Sequence, residues 1–382
     1  MAVANRVRVM LAACCALLVL SSCSREADNM IDLTGVCGGD AVLPSDSLFR
    51  SVRFIPLETR PECMVGGGAV FAMDSSNILL WTGNSILRFG ADGRFLNRVG
   101  RFGKGHGEHG NIISANYDAK KSLVYIGVGG NVIYKYSIGG DYVGRLILPD
   151  SIGTVNSMKL DSWLGMVCEV RDYKEHGLDV YLVCVSDDGK VLARHKVYSD
   201  RESVKVSMHR TGMLKNTSRG VMFMLPYSDK VFTLNHDGTI DSLILYRGDH
   251  SPSRADYEDW DNSSSLYRRK YLIENIAVTD KRMYLLMVTE NRPREVIVDT
   301  DSRAVVYNRS YGYSDETSHI RLSGFGRVCF WPWMAVSATE VADMLPIERF
   351  QRQDQDRLRR LSSNGFPLDA ESNPVVVVAS ER

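Results

Sequence analysis

The chain has 382 residues, of which 46 are basic and 46 acidic, so its formal net charge is zero. This balance gives no electrostatic reason to expect a nucleic acid as a partner. The hydrophobic fraction of 44% is ordinary for a folded protein, and the 32 glycines and 17 tyrosines favour a β-rich chain with many tight turns.

Residues 1–22 have the features of a bacterial signal peptide. Arg6 and Arg8 precede a short apolar stretch, and its 12 residues at 9–20 are fewer than the ~20 that a membrane-spanning helix needs. The chain then reads Leu-Ser-Ser-Cys, which resembles a lipobox and predicts lipidation of Cys23. The alternative is an ordinary signal peptide with a cysteine near its end.

The residues after Cys23 bear on where such a lipoprotein would be sorted. Ser24, in place of an aspartate, resembles the pattern of outer-membrane lipoproteins. Glu26 and Asp28 resemble, in part, a surface-export signal of Bacteroidetes-type lipoproteins. We therefore expect an outer-membrane lipid anchor, on the periplasmic or the cell-surface side, followed by a tether over residues 23–47. The membrane is then one partner, reached through Cys23.

The cysteines that follow Cys23 leave two alternatives open. They are odd in number, so they cannot all pair within one chain: Cys37, Cys63, Cys168, Cys184 and Cys329. Two of them, Cys168 and Cys184, lie on apolar runs that would form a hairpin near His176. A disulfide between them is one interpretation, and two buried thiols that act as small hydrophobic side chains are the other.

A turn of similar composition returns at a nearly fixed interval after an isolated predicted strand at 49–59. Its closing glycines are 47, 49 and 49 residues apart, at Gly93, Gly140, Gly189 and Gly238. A fifth, weaker copy at 298–302 follows 64 residues later. Periods of roughly 20–50 residues indicate solenoids, propellers or other arrays. The acidic residue before three of these glycines is explained by hairpin geometry, so we interpret it as structural.

The intervals between the turns each contain short apolar runs typical of a four-stranded antiparallel meander. We predict such units at 69–100, 113–148, about 155–198, about 219–248 and about 272–312. A single four-stranded sheet has two apolar faces, and radial stacking around an axis buries both. The repeat therefore predicts a β-propeller.

The two ends of the chain predict how the ring closes. Strand-like segments at 327–331 and 374–379 form an incomplete unit, and the early strand at 49–59 would complete it. The predicted fold is all-β: a six-bladed β-propeller of four-stranded antiparallel blades over 48–382, in which the N- and C-terminal strands share one blade. Insertions are expected near 251–271 and 339–361, each with a helix.

Three stretches carry a resemblance to a known family: 54–59, 86–110 and 373–377. Together with the lipobox, they resemble the six-bladed β-propeller lipoproteins of Bacteroidetes-type bacteria, which are similar in shape to NHL-repeat propellers. Where family members commonly have a proline and an aromatic residue, this chain has His106 and His109. The resemblance implies an envelope protein that serves nutrient uptake or the recognition of extracellular glycans, peptides or envelope proteins.

The loop at 103–110 contains the first candidate site. Two imidazoles with a carboxylate between them, His106, Glu108 and His109, are residue types that bind divalent metals. The alternative, which we prefer, is a turn between the first two blades, because glycines surround these residues and no helix face holds them. The same glycines do not indicate a nucleotide site, since no βαβ unit accompanies them.

An aromatic group outside the regular strands is the second candidate site. It consists of Trp260, Tyr267, Trp331 and Trp333. Exposed aromatic side chains on loops suit the binding of carbohydrates or peptides. The alternative is that Trp331 and Trp333 pack between blades, as most large aromatic residues do.

Two functions follow from these observations. The preferred one is an envelope-anchored binding or scaffold propeller that recognises glycans or peptides. The alternative is an NHL-like enzyme, a metal-dependent lyase or hydrolase with its site in the central channel. The first is preferred because no His, Asp or Glu recurs at matching positions of several repeats beyond the hairpin turns. No catalytic residue is assigned, and no cofactor is expected.

Overall fold

The structure is a computed structural model, and it describes residues 29–36, 44–175, 177–201, 212–253, 256, 269–290, 292–310, 320–325, 328–361 and 365–382. Short 3₁₀ turns lie between the strands at Pro61–Cys63, Asp150–Ile152, Gly248–His250 and Ile347–Arg349. None of the helices among these residues is long and apolar enough to cross a membrane.

Strands dominate the described residues. The N-terminal part contains β1 (Met30–Asp32), α1 (Ser45–Leu48) and β2 (Phe49–Pro56). The first blade contains β3 (Gly68–Met73), β4 (Asn77–Thr82), β5 (Ser85–Gly90) and β6 (Phe95–Val99). The second contains β7 (Ile112–Asp118), β8 (Leu123–Val128), β9 (Val132–Ser137) and β10 (Tyr142–Ile147). The third contains β11 (Thr154–Asp161), β12 (Gly165–Lys174), β13 (Gly177–Val185) and β14 (Val191–Asp200).

The remaining elements complete the ring. The fourth blade contains β15 (Met213–Thr217), β16 (Gly220–Met224), β17 (Lys230–Asn235) and β18 (Ile240–Tyr246). The fifth contains β19 (Leu272–Val278), β20 (Arg282–Thr289), β21 (Arg292–Asp299) and β22 (Val305–Ser310). The last part contains β23 (Ile320–Arg321), β24 (Cys329–Phe330), β25 (Met334–Ala335), β26 (Glu340–Leu345), α2 (Arg352–Leu361) and β27 (Val375–Glu381).

The predicted six-bladed propeller is confirmed. Each of the first five blades is an antiparallel meander whose strands pair in chain order. The first strands of neighbouring blades contact one another around the axis, so the first strand of each blade is the innermost. In the sixth blade the order is β25-β26-β27-β2, so the N-terminal strand β2 pairs with the C-terminal strand β27 and closes the ring.

Two details of the predicted sixth blade are wrong. Residues 327–331 do not supply one of its strands, because β24 pairs with β23 in a separate two-stranded sheet. Nor is 339–361 a helical insertion throughout: β26 is the second strand of the blade, and only α2 is an α-helix. The apolar residues of β26 form two adjacent pairs, Val341-Ala342 and Met344-Leu345, and this spacing over a short span does not separate a strand from a helix.

Six apolar clusters, one at each contact between neighbouring blades, hold the ring together. On β4, Ile78 and Leu80 pack against the sixth blade, while Leu79 between them packs against the second. Successive side chains of a strand point to opposite faces of its sheet, so every blade buries both faces. No single blade is therefore stable alone.

The N-terminal segment is not a free tether over its whole length, which corrects the prediction for 23–47. Strand β1 pairs in parallel with β18 and adds a fifth, outermost strand to the fourth blade. Ile31, Leu33 and Val36 are buried against the fourth and fifth blades. Four apolar residues among the eight at 29–36 provide too weak a periodic signal to be detected in the sequence.

The repeated turn is the predicted hairpin. The closing glycines Gly93, Gly140, Gly189 and Gly238 all have positive φ, between +83° and +104°. In each turn the amide of the glycine donates to the carbonyl three residues earlier. In the fifth blade the turn is one residue longer, and Arg303 takes the left-handed conformation with φ +58°. Glycine is favoured in this conformation because a Cβ atom destabilises it.

The strand directions define two faces of the ring. Antiparallel pairing places the turns from first to second and from third to fourth strand on one side, which we call the lower face. The turns from second to third strand and the connections between blades lie on the other side, the upper face. The repeated Asp-Gly turns therefore belong to the lower face.

Cys168 and Cys184 do lie on a hairpin, formed by β12 and β13, but they do not pair. The register aligns Cys168 with Val183 and Cys184 with Val167, so the two cysteines point to opposite faces of the sheet. Both are buried free thiols, and burial raises the pKa of each, to about 12 for Cys168 and about 11 for Cys184. The interpretation as small hydrophobic side chains is the one that holds.

Candidate functional site

All long interruptions of the repeat leave the ring on its upper face. They are the connections 100–111, 201–212, 247–271 and 311–333 between blades, and the segment 346–374 between β26 and β27. The predicted insertion near 251–271 belongs to this set, although most of it lies outside the described residues. Loops on a rigid scaffold are where binding residues concentrate. We therefore looked for the site on this face and in the channel below it.

The loop at 100–111 folds around Glu108. The carboxylate of Glu108 accepts a hydrogen bond from the backbone N–H of Gly105 at 2.8 Å. A Cβ atom on Gly103 would lie 2.0 Å from the same carboxylate, so only glycine fits there. Tyr136 donates its hydroxyl hydrogen to the carbonyl of Gly107 at 3.1 Å and ties the loop to the second blade.

The two histidines of this loop do not face Glu108. His109 is fully buried, with its Nδ1 2.8 Å from the carbonyl of Gly110 and its ring against Tyr136. The ring of His106 packs against Tyr142 instead. Among the described residues, no group of three His, Cys, Asp or Glu side chains is placed to hold a metal ion. The arrangement is that of a structural turn, and we do not carry the metal site further.

The four predicted aromatic binding residues do not form one group. Trp260 and Tyr267 lie outside the described residues. Trp331 is buried, with 4% of its surface exposed, and packs edge-on against Tyr284 of the fifth blade. Trp333 is 40% exposed and lies directly before the innermost strand of the sixth blade. Of the two predicted binding tryptophans that the structure describes, Trp333 is the one open to a ligand.

Trp333 lines a cavity at the upper mouth of the central channel. The cavity has a volume of about 250 Å³ and lies where the innermost strands of the sixth and first blades meet. Its other walls include Gly68, Ala69, Met334 and one acidic residue, Asp343. A Cβ atom on Gly68 would lie 2.8 Å from the carbonyl of Trp81, which accounts for the glycine.

Polar side chains line the channel below this mouth. Asn116, Lys159 and Lys215 each lie two residues before the end of the innermost strand in three consecutive blades. Their cross-strand partners Tyr125, Val167 and Met222 belong to the clusters shared with the next blade, so all three side chains point toward the next blade. We call this set, together with Asn275, the channel polar group.

Hydrogen bonds link the channel polar group from blade to blade. Asn116 donates to the carbonyl of Met158 at 3.0 Å. Lys215 donates to the side-chain oxygen of Asn275 at 2.8 Å, and Asn275 donates to the carbonyl of Trp333 at 2.7 Å. The chain of contacts from Lys215 through Asn275 thus reaches the residue that forms the mouth.

Among the described residues, neither lysine has a carboxylate as a hydrogen-bond or ion-pair partner. Burial lowers the pKa of Lys159. Burial and, second, the charge of Lys159 lower the pKa of Lys215 to about 8. Glu169 lies on the strand that pairs with the strand of Lys159, but it accepts its hydrogen bonds from Arg171, Ser157 and the amide of Gly212, at 2.9–3.1 Å. Within the described part of the chain, Lys159 has no hydrogen-bond or ion-pair partner.

Sequence reasoning missed the channel polar group because it looked for recurring His, Asp and Glu. The signal that identifies it is a polar residue at the same distance from the end of the first strand in successive repeats. Asn116, Lys159 and Lys215 satisfy that criterion once the strand ends are known. Lysine was not considered because it is usually a solvent-exposed residue.

A larger cavity of about 560 Å³ opens on the lower face between the fourth and fifth blades. Among its charged residues, Arg219 lies 2.8 Å from Asp241, Ser218 bonds Asp280, and Arg303 donates to Asn29 at 3.0 Å. Asn29 and Ile31 of the N-terminal segment line one wall.

Comparisons with known proteins agree with the architecture. Residues 29–380 match the family model described as "Domain of unknown function (DUF4934)". A search of curated proteins finds no match. A Bacteroides fragilis protein described as exported superposes with a TM-score of 0.65 at 14% identity, over 93% of this chain and 99% of that one.

Two further solved structures are less similar. A DUF4221 family member from Bacteroides vulgatus has a TM-score of 0.49 at 7% identity, over 88% of this chain and 97% of that one. Virginiamycin B lyase from Staphylococcus aureus has a TM-score of 0.42 at 10% identity, over 86% and 99%. Similarity at these scores carries no functional argument. The family match spans almost the whole propeller, and the chain belongs to the DUF4934 family of Bacteroidetes-type β-propellers.

Proposed function

We propose that the protein is an envelope-anchored binding propeller that recognises an extracellular glycan or peptide at the upper mouth of its central channel. The observation that carries this proposal is the exposed Trp333 at the channel mouth, on the face from which every long interruption of the repeat emerges. An exposed indole provides a flat apolar surface on which a sugar ring or a peptide side chain packs.

The anchoring part of the proposal rests on the lipobox. Acylation of Cys23 would attach the protein to the outer membrane, on its periplasmic or cell-surface side. The similarity to a Bacteroides fragilis protein described as exported is consistent with this location. An anchored propeller that holds its binding site away from the membrane would leave that site accessible to an extracellular glycan or peptide.

The enzymatic alternative finds no support in the channel. A metal-dependent lyase or hydrolase needs several His, Asp or Glu ligands around a cation, and the described residues contain no such group. The channel instead presents two lysines, whose ammonium groups repel a divalent cation.

The test compares two exposed tryptophans on opposite faces. The full chain, purified in detergent, is screened against arrays of glycans and peptides, and each hit is measured by calorimetry. W333A is expected to weaken binding of the hit by at least about tenfold, since aromatic anchors contribute 2 kcal/mol or more. The matched control is W163A, because Trp163 is 75% exposed on the lower face.

Equal binding by W333A and the unmodified chain would contradict the proposed mouth site. So would a loss of binding in W163A alone, which would move the site to the lower face. Thermal unfolding of both variants checks that neither substitution disturbs the ring.

A further inference from the structure

The lower-face cavity between the fourth and fifth blades lies on the opposite side of the ring from the mouth, and no described residue lines both. Its volume of about 560 Å³ falls within the roughly 300–1,000 Å³ that is usual for small-molecule sites. Met222, Met283 and Val298, from the two facing sheets, form part of an apolar interior. Because methionine side chains are flexible, this interior can adapt to an apolar group of a small molecule.

One wall of this cavity departs from the repeat. In four of the first five blades the second residue of the fourth strand is exposed and apolar: Leu96, Val143, Leu192 and Val306. In the fourth blade the same position is Asp241, whose carboxylate lies 2.8 Å from the guanidinium of Arg219. Both residues line the cavity. Since the fold accepts a leucine or a valine at this position, closure of the ring does not require the acid.

Asn29 joins the two blades beside the cavity and positions a cation there. Its side chain donates to the carbonyl of Ser242 in the fourth blade at 2.7 Å and accepts from Arg303 in the fifth at 3.0 Å. This bond uses one N–H group of the guanidinium and leaves the others. Among the described residues Arg303 has no carboxylate partner. Arg303 therefore offers the cavity a positive charge and hydrogen-bond donors.

A negative charge lies on the same turn as Arg303. Asp301 lines the cavity, and no described residue forms a hydrogen bond or an ion pair with its carboxylate. The turn is tied to the neighbouring lower turn, because the amide of Thr300 donates to the carbonyl of Lys281 at 3.0 Å. That second turn carries Asp280, another residue of the cavity wall, which accepts a hydrogen bond from Ser218. Charges of both signs thus border one apolar interior.

We propose that the lower-face cavity binds a zwitterionic amino acid or short peptide whose apolar side chain enters the space between Met222 and Met283. Arg303 binds the carboxylate of the ligand, and Asp301 binds its ammonium group. Charge-assisted hydrogen bonds of this kind are about twice as strong as neutral ones. Arg303 and Asp301 are two residues apart, which suits two charged groups that the ligand carries close together. This site is additional to the proposed mouth site and does not rest on it.

Two parent probes measured by calorimetry on the full chain test the ligand class: L-leucine and L-leucyl-L-leucine. At least one is expected to bind, and the tighter one distinguishes a free amino acid from a peptide. The C-terminal amide of that probe lacks the carboxylate, and its N-acetyl derivative lacks the ammonium group. Each derivative is expected to bind at least about tenfold more weakly than the parent, because hydrogen bonds to charged groups contribute more than neutral ones.

Two variants assign the two charges. R303Q removes the positive charge but keeps a donor for Asn29, and D301N removes the negative charge with little change in volume. Each is expected to weaken binding of the parent probe by at least about tenfold. R303Q should no longer distinguish the parent from its amide, and D301N should no longer distinguish it from the N-acetyl derivative. A purely structural role of either residue would not remove one of these distinctions and keep the other.

The matched control is R94Q, because Arg94 lies in the corresponding turn of the first blade and its side chain is 66% exposed. Its affinity should equal that of the unmodified chain within about twofold, and thermal unfolding checks that all three variants keep the ring. The proposal is overturned if neither parent probe binds, if the amide and N-acetyl derivatives bind as tightly as the parent, or if R303Q and D301N bind as the unmodified chain does. An equal loss in R94Q would also overturn it, since the effect would then belong to the lower face as a whole.

Discussion

At the scale of single residues, the channel lysines oppose folding. The pKa of Lys215 lies near 8, below its ordinary value, because burial and the charge of Lys159 both disfavour its ammonium form. The folded chain therefore binds this proton less tightly than the unfolded chain does. Between about pH 8 and pH 10.4 the unfolded chain holds more protons, and the linkage relation makes the folded state gain stability as the pH rises.

A stability measurement checks this electrostatic cost. K215M is expected to raise the free energy of unfolding at pH 7, by up to roughly 3 kcal/mol for a shift of about 2.5 pKa units. The difference from the unmodified chain should shrink as the pH approaches 10.4. Urea unfolding at pH 7, 8.5 and 10 measures it. A variant that is less stable than the unmodified chain at pH 7 would show that the lysine is compensated in the folded state.

The buried carboxylate at the contact between the fifth and sixth blades is compensated. Glu381 accepts hydrogen bonds from Thr279 at 2.7 Å and from Tyr284, and its carboxylate lies 3.3 Å from Arg282. This cluster joins the fifth blade to the closing strand of the sixth. A buried acid held by three donors is expected to be structural. The channel lysines differ from it, because among the described residues neither has an ion-pair partner.

At the scale of elements, β1 extends the propeller beyond the predicted four strands per blade. Its three residues pair with β18, and Leu33, just after it, is fully buried against Leu245 and the fifth blade. The strand covers the outer edge of the fourth blade, which would otherwise present unpaired backbone groups.

Replacement of Leu33 by alanine tests whether this segment is part of the folded unit. L33A is expected to lower the free energy of unfolding by about 2–5 kcal/mol, as for other buried leucines. The control is L192A, since Leu192 is 61% exposed on β14 and should change stability by less than about 0.5 kcal/mol. Chemical denaturation provides both values. A loss in L33A no larger than in L192A would restore the tether interpretation.

At the scale of the whole molecule, the position of β1 predicts how the ring would lie on a membrane if the chain is lipid-anchored. Asn29 lines the lower-face cavity, and Cys23 precedes it by six residues, which extend over at most about 20 Å. If Cys23 is acylated, the lower face at the fourth and fifth blades is held near the membrane. The upper face, with the channel mouth, then points away from the membrane.

Cysteine labelling measures this orientation. D301C lies on the lower face beside Asn29, and K104C lies on the upper face in the loop at 100–111. A bulky maleimide is expected to react several-fold faster with K104C than with D301C in the membrane-bound protein. After detergent extraction the two rates should converge. Faster labelling of D301C in the membrane would reverse the orientation, and C23S should abolish the difference.

Much of the architecture was predictable because its determinants are local. A strand of alternating side chains and a turn that needs positive φ are both encoded within a few residues, so the repeat and its interval are visible in the sequence. The blade number followed from counting these turns and from the strands left over at the two ends of the chain. The errors at β1, β24 and β26 fall on segments too short to show a clear period, and the partner of β1, β18, is far away in the sequence.

The sequence by itself determined the class of fold, the six blades and the closure by β2 and β27, because each depends on the hydrophobic pattern of individual strands. Only the tertiary structure decided which aromatic residue is exposed, that Cys168 and Cys184 lie on opposite faces, and that Lys215 bonds Asn275 of the next blade. These properties arise when the ring closes and brings innermost strands together from blades about 50 residues apart. A candidate site made of one residue from each of several blades does not exist before that closure.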